Sequence, residues 1–328
     1  MNKSRKRTGT AALIVGICSA GFLLLGLLVS ELLLGRFALL QKAGAEHILR
    51  DLRLAILHCL LAGYMPAAIL YVFHSARSSL RLLEPMLDST EKLSAGFQVS
   101  KAGIIGSAIA GVALTVLTPY LSADSPWNPR LWSPEIVWHR ILGLLIGFFA
   151  GCLCYVIVKV SMEISRTADR LQPIDLLDLS PLAPFVHQGI RNVLLIVGTI
   201  SILSFFLMES GMLLTIVLIE GIVVPVAVVG LILPVRGVHR RIREAKQEEL
   251  AWALKGIHKA QMRLKDSSAD TVSSQMADLI TYHQFIDEVP EWPFRISTFV
   301  RIILYLLIPL ASWAGGLFVE LLLKRLLS

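Results

Sequence analysis

Glu220 is the residue whose type and place first suggest chemistry. It lies nine residues into the apolar stretch MLLTIVLIEGIVVPVAVVGLIL, residues 212–233. A carboxylate in hydrocarbon costs roughly 2.5 kcal/mol or more, so such a group is kept as part of a pathway, a proton relay or a pair. Pro225 follows on the same stretch. It lacks an N–H and crowds the carbonyl of Gly221, which predicts a kink beside the acid. His58, inside the apolar run 54–73, enters from the same membrane side as Glu220 once the spans are laid out. Both then lie about 6 to 12 Å deep by helical rise, and the two could share a proton. The plainer alternative is a lone protonated Glu220 bonded to Ser201, to Ser204 or to a carbonyl freed by the kink.

A second group has different chemistry. Arg236, Arg240, Arg241, Arg243 and Lys246 crowd the sequence just after this stretch. Anionic lipid headgroups offer about 1 kcal/mol to each such cation, so the cluster is expected to pin the chain to a membrane surface. His239 lies within it, but no kinase-type ATP-binding stretch follows that would make it a phosphoacceptor. The sequence has no HExxH, GxSxG, P-loop or GxGxxG, and Asp175 and Asp178 read as the solvated face of a surface segment. Enzymatic activity and a resident cofactor are therefore not expected. The four cysteines, Cys18, Cys59, Cys152 and Cys154, all fall in apolar runs and read as reduced core residues. The Cys152–Cys154 spacing has no flanking His or Cys to complete a metal site.

The elements that must hold these residues are membrane helices. The chain has 328 residues, of which 55% are hydrophobic and only 17% charged, with a mean hydropathy of +0.68. That excludes an ordinary soluble domain. The net charge of +7 does not point to nucleic acid, because the Lys and Arg gather at the ends of apolar runs. Spans are expected near 11–34, 54–73, 102–121, 141–160, 192–208 and 212–233. A basic tail covers 1–10, a helical hairpin 236–298, and a last span 299–323. The runs 102–121 and 141–160 carry small residues, with Gly143, Gly147 and Gly151 on one face, the pattern of a tight helix crossing. Trp127, Trp132 and Trp138 suit a loop at the headgroups. Ser180-Pro181 reads as an N-cap and first turn of the fifth helix.

With the N-terminus inside, 22 positive residues fall on the cytoplasmic side and 8 outside. This sets N-in and C-out with seven spans. An interfacial final helix would leave six. The expected fold is an all-α polytopic transmembrane bundle with a cytoplasmic helical hairpin, in a bacterial-type inner membrane.

Three segments, PIDLLDLSPLAPFVHQGIRN, LPVRGVHRRIREAKQEELAW and EVPEWPF, each stand next to a span. They resemble the recurring blocks of a family of uncharacterised prokaryotic multi-span membrane proteins, over roughly 171–323. The resemblance implies an integral membrane protein and no particular activity. Arg295 stands where the resemblance leads one to expect an acid. Two functions follow from the residues. One is a transporter or channel-like protein using Glu220, with His58, for a proton or cation. The other is a regulatory or scaffold protein acting through the hairpin, on a cytoplasmic protein partner or as a homo-oligomer. The first predicts a polar cavity reaching Glu220; the second predicts a dry bundle and an exposed apolar patch on the hairpin.

Overall fold

A computed structural model describes residues 2–33, 45–87, 99–121, 134–208, 213–266 and 270–293, with 300, 304, 305 and 307. These residues form seven α-helices: α1 (Asn2–Leu33), α2 (Ala45–Leu83), α3 (Lys101–Leu121), α4 (Pro134–Thr167), α5 (Ala183–Ser204), α6 (Leu213–Asp266) and α7 (Asp270–Glu288). Among the described residues there is no strand, only an isolated antiparallel bridge between Leu87 and Leu171. Five helices, α2 to α6, are long and apolar enough to cross a membrane, and α1 carries a shorter apolar stretch, Thr10–Gly26. The span expected over 299–323 lies outside the described residues apart from four single positions. Arg295, Trp127 and Trp132 also lie outside them.

Helices α2, α4, α6 and α5 pack in a ring, each against the next, with α1 laid on α2 and α3 laid on α4. Inside a bilayer, burial of apolar side chains brings little gain, so close packing must hold the ring together. The α3–α4 crossing does this as the glycine stripe predicts. A Cβ on Gly111 would overlap the carbonyl oxygen of Gly147, and one on Gly151 would overlap that of Ser107. On α6, a Cβ on Gly237 would overlap the Ser165 carbonyl of α4, while one on Gly189 of α5 would lie 2.7 Å from the Leu231 carbonyl oxygen.

Helix α6 is 54 residues long, about 80 Å at 1.5 Å per residue, and passes through Pro225 and Pro234 without ending. Its first half belongs to the ring. Its second half leaves the ring and packs along α7. Val238 and Ile242 of α6 and Ile286 of α7 are fully buried in the same core as Ile157 and Phe185, so the helical pair is seated on the bundle. In water, each such burial is worth about 1.5 to 3 kcal/mol.

Three local expectations are corrected. First, the Trp138 segment is helix, because α4 begins at Pro134, a residue whose fixed φ and missing N–H suit a first turn. Second, α5 begins at Ala183, two residues past the first-turn Pro181 expected for the fifth helix, and it is already buried ahead of the apolar run 192–208: Gln188 and Asn192 are fully buried. Third, Ser180 does not cap α5: it opens a short 3-10 turn, with no side-chain cap, that leads into the helix. The acids before it act in the turn that precedes the helix. Asp178 accepts the backbone N–H of Ser180 at 3.0 Å, and Asp175 accepts that of Leu177 at 2.8 Å. These two acids shape the turn as well as facing water.

The Ser180 hydroxyl and N–H, donating to Asp178, hold its carboxyl below the usual carboxylate range. A depressed carboxyl contributes stability that is present above its ordinary pKa and is lost as pH falls through the folded value. Asp178→Ala is therefore expected to lower the melting temperature at neutral pH, with the difference from the native chain closing below about pH 4. A difference that stayed constant with pH would show that the bond does not matter.

Candidate functional site

Glu220 sits on the inward stripe of α6. Ile216, Val223 and Ala227 share that stripe and are buried, and they repeat at the three- and four-residue steps of one helix face. Its Oε1 is shielded and has no hydrogen-bond partner among the described residues. The serine hydroxyls that could have bonded it are turned elsewhere. Ser201 donates to the Val197 carbonyl at 2.8 Å and Ser204 to the Ser201 carbonyl at 2.9 Å, each within its own helix.

His58 has other neighbours. Its Nδ1 lies 2.8 Å from the Leu54 carbonyl oxygen, one turn back on α2. Its ring lies 4.9 Å from the ring of His139 on α4 and 4.9 Å, edge-on, from that of Phe206 after α5. Among the described residues no bond joins His58 to Glu220, so the shared proton inferred from matching depths gains no direct contact. His139 is a partner that the sequence does not reveal, because the tryptophans up to Trp138 suit a loop, whereas the segment is the first turns of α4. Among the described residues its Nδ1 is buried without a hydrogen-bond partner.

The four ring helices meet at a buried polar hub. Gln188 of α5 donates to Ser75 of α2 at 3.2 Å and to Asn192 Oδ1 at 3.0 Å, and accepts from Ser79 of α2 at 3.3 Å. Asn192 in turn donates to Ser161 of α4 at 3.0 Å and to the Gly230 carbonyl of α6 at 3.1 Å. Gly230 stands four residues before Pro234, so its carbonyl is the one that the proline leaves without a helical donor. Asn192 supplies that donor. One side chain therefore compensates α6 for its proline and ties it to α4 and α5. The signal was present as Gln188 and Asn192, one turn apart, beside a proline-bearing span.

At the far end of the ring, the basic residues are divided. Arg240 pairs with Asp169 and lies near Glu244, and Arg241 donates to the Leu171 carbonyl at 3.1 Å. Lys246 donates to the carbonyls of Asp287 and Val289 at 2.6 and 3.1 Å, capping the end of α7. Arg240 and Arg241 hold the helical pair against the bundle, and Lys246 holds α6 to the end of α7. Arg236 and Arg243 are exposed, with no ion pair or hydrogen bond among the described residues. His239 stacks on Trp292 at 4.1 Å and lies 3.0 Å from the Glu291 carbonyl oxygen, so it anchors the segment after α7.

Beside this anchor two clefts open. One, of about 320 Å³, lies between Pro173–Leu177 and the α6 residues Arg241 to Glu249. The other, of about 430 Å³, is lined by Glu249, Trp252, Asp278, Leu279 and Tyr282. Glu249 and Tyr282 belong to both. Among the described residues, no group of three or more His, Cys, Asp or Glu side chains could hold a metal ion. Compared with known proteins, the chain matches no protein-family model, no curated protein and no solved structure.

Proposed function

We propose that this integral membrane protein moves a proton or a small cation, with Glu220 taking it up inside the bundle. One observation carries the reading: a carboxyl oxygen of Glu220 is shielded on the inward stripe of α6 and has no partner among the described residues. A lone buried acceptor costs about 1 to 3 kcal/mol, and ionising it there costs more. A transferable proton neutralises the group, and its loss recharges it. Pro225 denies the Gly221 carbonyl its helical donor, which supplies a second acceptor one residue from the acid.

The test is flux in proteoliposomes, for protons and for alkali cations. Glu220→Gln keeps the shape and removes the titration. We expect at least a tenfold loss of flux with the fold intact; unchanged flux in the variant would remove Glu220 from the pathway.

A second reading is favoured by a separate observation. The clefts described above lie where α6 and α7 meet rather than at Glu220, and Trp252 beside them is 60% exposed. In this reading the protein is a regulatory or scaffold protein acting through the α6–α7 pair on a cytoplasmic partner or a second copy. Both readings place it in a bacterial-type inner membrane with its N-terminus and the α6–α7 pair in the cytoplasm. Arg236 and Arg243 then meet anionic headgroups.

A further inference from the structure

We propose that the furrow between α6 and α7 docks a basic, partly apolar segment of a partner protein, whose arginine or lysine side chains seat against Trp252, Glu249 and Asp278. The inference rests on the interaction reading and not on transport. The two clefts share Glu249 and Tyr282 and so form one furrow, which follows α6 from Arg241 to Trp252. That is about 16 Å of helix, the length of some five residues of extended chain.

Its charge is opposite to that of the whole chain. Asp175, Glu244, Glu248, Glu249 and Asp278 line it, and Arg241 is the one basic side chain among the lining residues. Arg241 is already used, by the Leu171 carbonyl and by Glu244 at 3.8 Å. Glu248, Glu249 and Asp278 have no ion pair among the described residues, although the chain carries a net charge of +7. Among the described residues Glu249 accepts only from the Tyr282 hydroxyl, at 3.1 Å. Burial, together with the hydrogen bond to Glu249 and the charges of Glu249 and Asp175, pushes the Tyr282 phenol above its ordinary range.

The aromatic pair specifies more than charge. Trp252 and Tyr282 stand nearly perpendicular, at 87°, with centroids 5.9 Å apart. An exposed indole face beside two carboxylates attracts a guanidinium or ammonium by both cation–π and Coulomb terms. Ile174, Leu176 and Leu177 add apolar surface for the rest of such a segment. A lipid headgroup does not fit. Trp252 lies 18 residues past Pro234, about 27 Å along the helix, which is beyond the headgroup layer. The carboxylates also repel anionic lipids and nucleic acid.

The test uses the full chain in zwitterionic-lipid nanodiscs and a labelled decapeptide of alternating arginine and leucine, read by fluorescence anisotropy at 150 mM salt. Saturable binding is expected, weakened at least tenfold by Trp252→Ala and by the pair Glu249→Gln with Asp278→Asn. Trp252→Phe should retain part of the affinity, which separates loss of the aromatic face from loss of fold. Binding that ignores Trp252→Ala, or that an acidic glutamate–leucine decapeptide matches, overturns the proposal. Saturation by a peptide of residues 1–10 alone would make the occupant the tail of a second copy and overturn the assignment to a partner protein. A photo-crosslinker at Met262, 71% exposed and outside the furrow, tests the interaction reading separately. Adducts there without peptide binding would retire the furrow and leave that reading standing.

Discussion

Asn192→Ala is expected to destabilise the bundle by about 3 kcal/mol, although the residue touches no proposed pathway group. Three hydrogen bonds go with the amide, those to Gln188, Ser161 and the Gly230 carbonyl. Interhelical hydrogen bonds within membranes average only about 0.6 kcal/mol, so the bonds alone give less than that figure. The remainder comes from what is left behind. Gln188 is fully buried and loses a partner, and the Gly230 carbonyl loses the donor that stands in for Pro234. Each buried orphan costs about 1 to 3 kcal/mol.

The explanation has a sharp internal test. Pro234→Ala returns an N–H to α6, so Asn192→Ala in that background should lose about 1 kcal/mol less than in the native chain. Unfolding of all four proteins in bicelles gives the cycle. Strict additivity would mean that Asn192 does not act for the proline.

Gly151→Val should do more than weaken the fold: α3 should fail to seat on α4. The added Cβ overlaps the backbone oxygen of Ser107, and backbone cannot turn aside as a side-chain tip can. We expect more than 3 kcal/mol, or loss of folded protein, by the mechanism of overpacking at a close crossing. Gly106→Ala on α3 is the control, since nothing lies within 4 Å of a Cβ there. It should be neutral or stabilising by up to about 1 kcal/mol, as expected when alanine replaces glycine in a helix. Melting temperatures in nanodiscs compare the two. Equal effects would remove the close approach as their cause.

What could be read from the sequence followed from short-range rules. Glycines at four-residue spacing in α4 announced the crossing with α3, and the apolar runs located α2 to α6, the five helices long and apolar enough to cross a membrane. The unbroken charged sequence after Pro234 announced that α6 would continue. The inward aim of Glu220 followed from the cost of lipid exposure, and α6 does place it on the buried stripe. What escaped depends on contacts between residues far apart in the chain. His139 reaches His58 only because Pro134 starts a helix rather than ending a loop. Gln188 and Asn192 stand out by no spacing rule in the sequence, and only the four-helix ring provides them with partners. Lys246 looked like a lipid anchor until the end of α7 arrived to take its ammonium group. The furrow was invisible for the same reason, since Asp175, Glu249 and Asp278 come from three separate segments.

The length of α6 also has a mechanical consequence. The helix is gripped where Gly237 meets Ser165 and Gly189 meets Leu231, close to the middle of its run. That grip is a fulcrum. Beyond Ile242, the last fully buried residue that α6 gives to the shared core, the arm to Asp266 is about 36 Å long, so a tilt of about 5° at its base carries its tip about 3 Å. The arm on the Glu220 side swings the opposite way. A change of packing around the buried acid and a load on the far tip therefore act on one continuous helix.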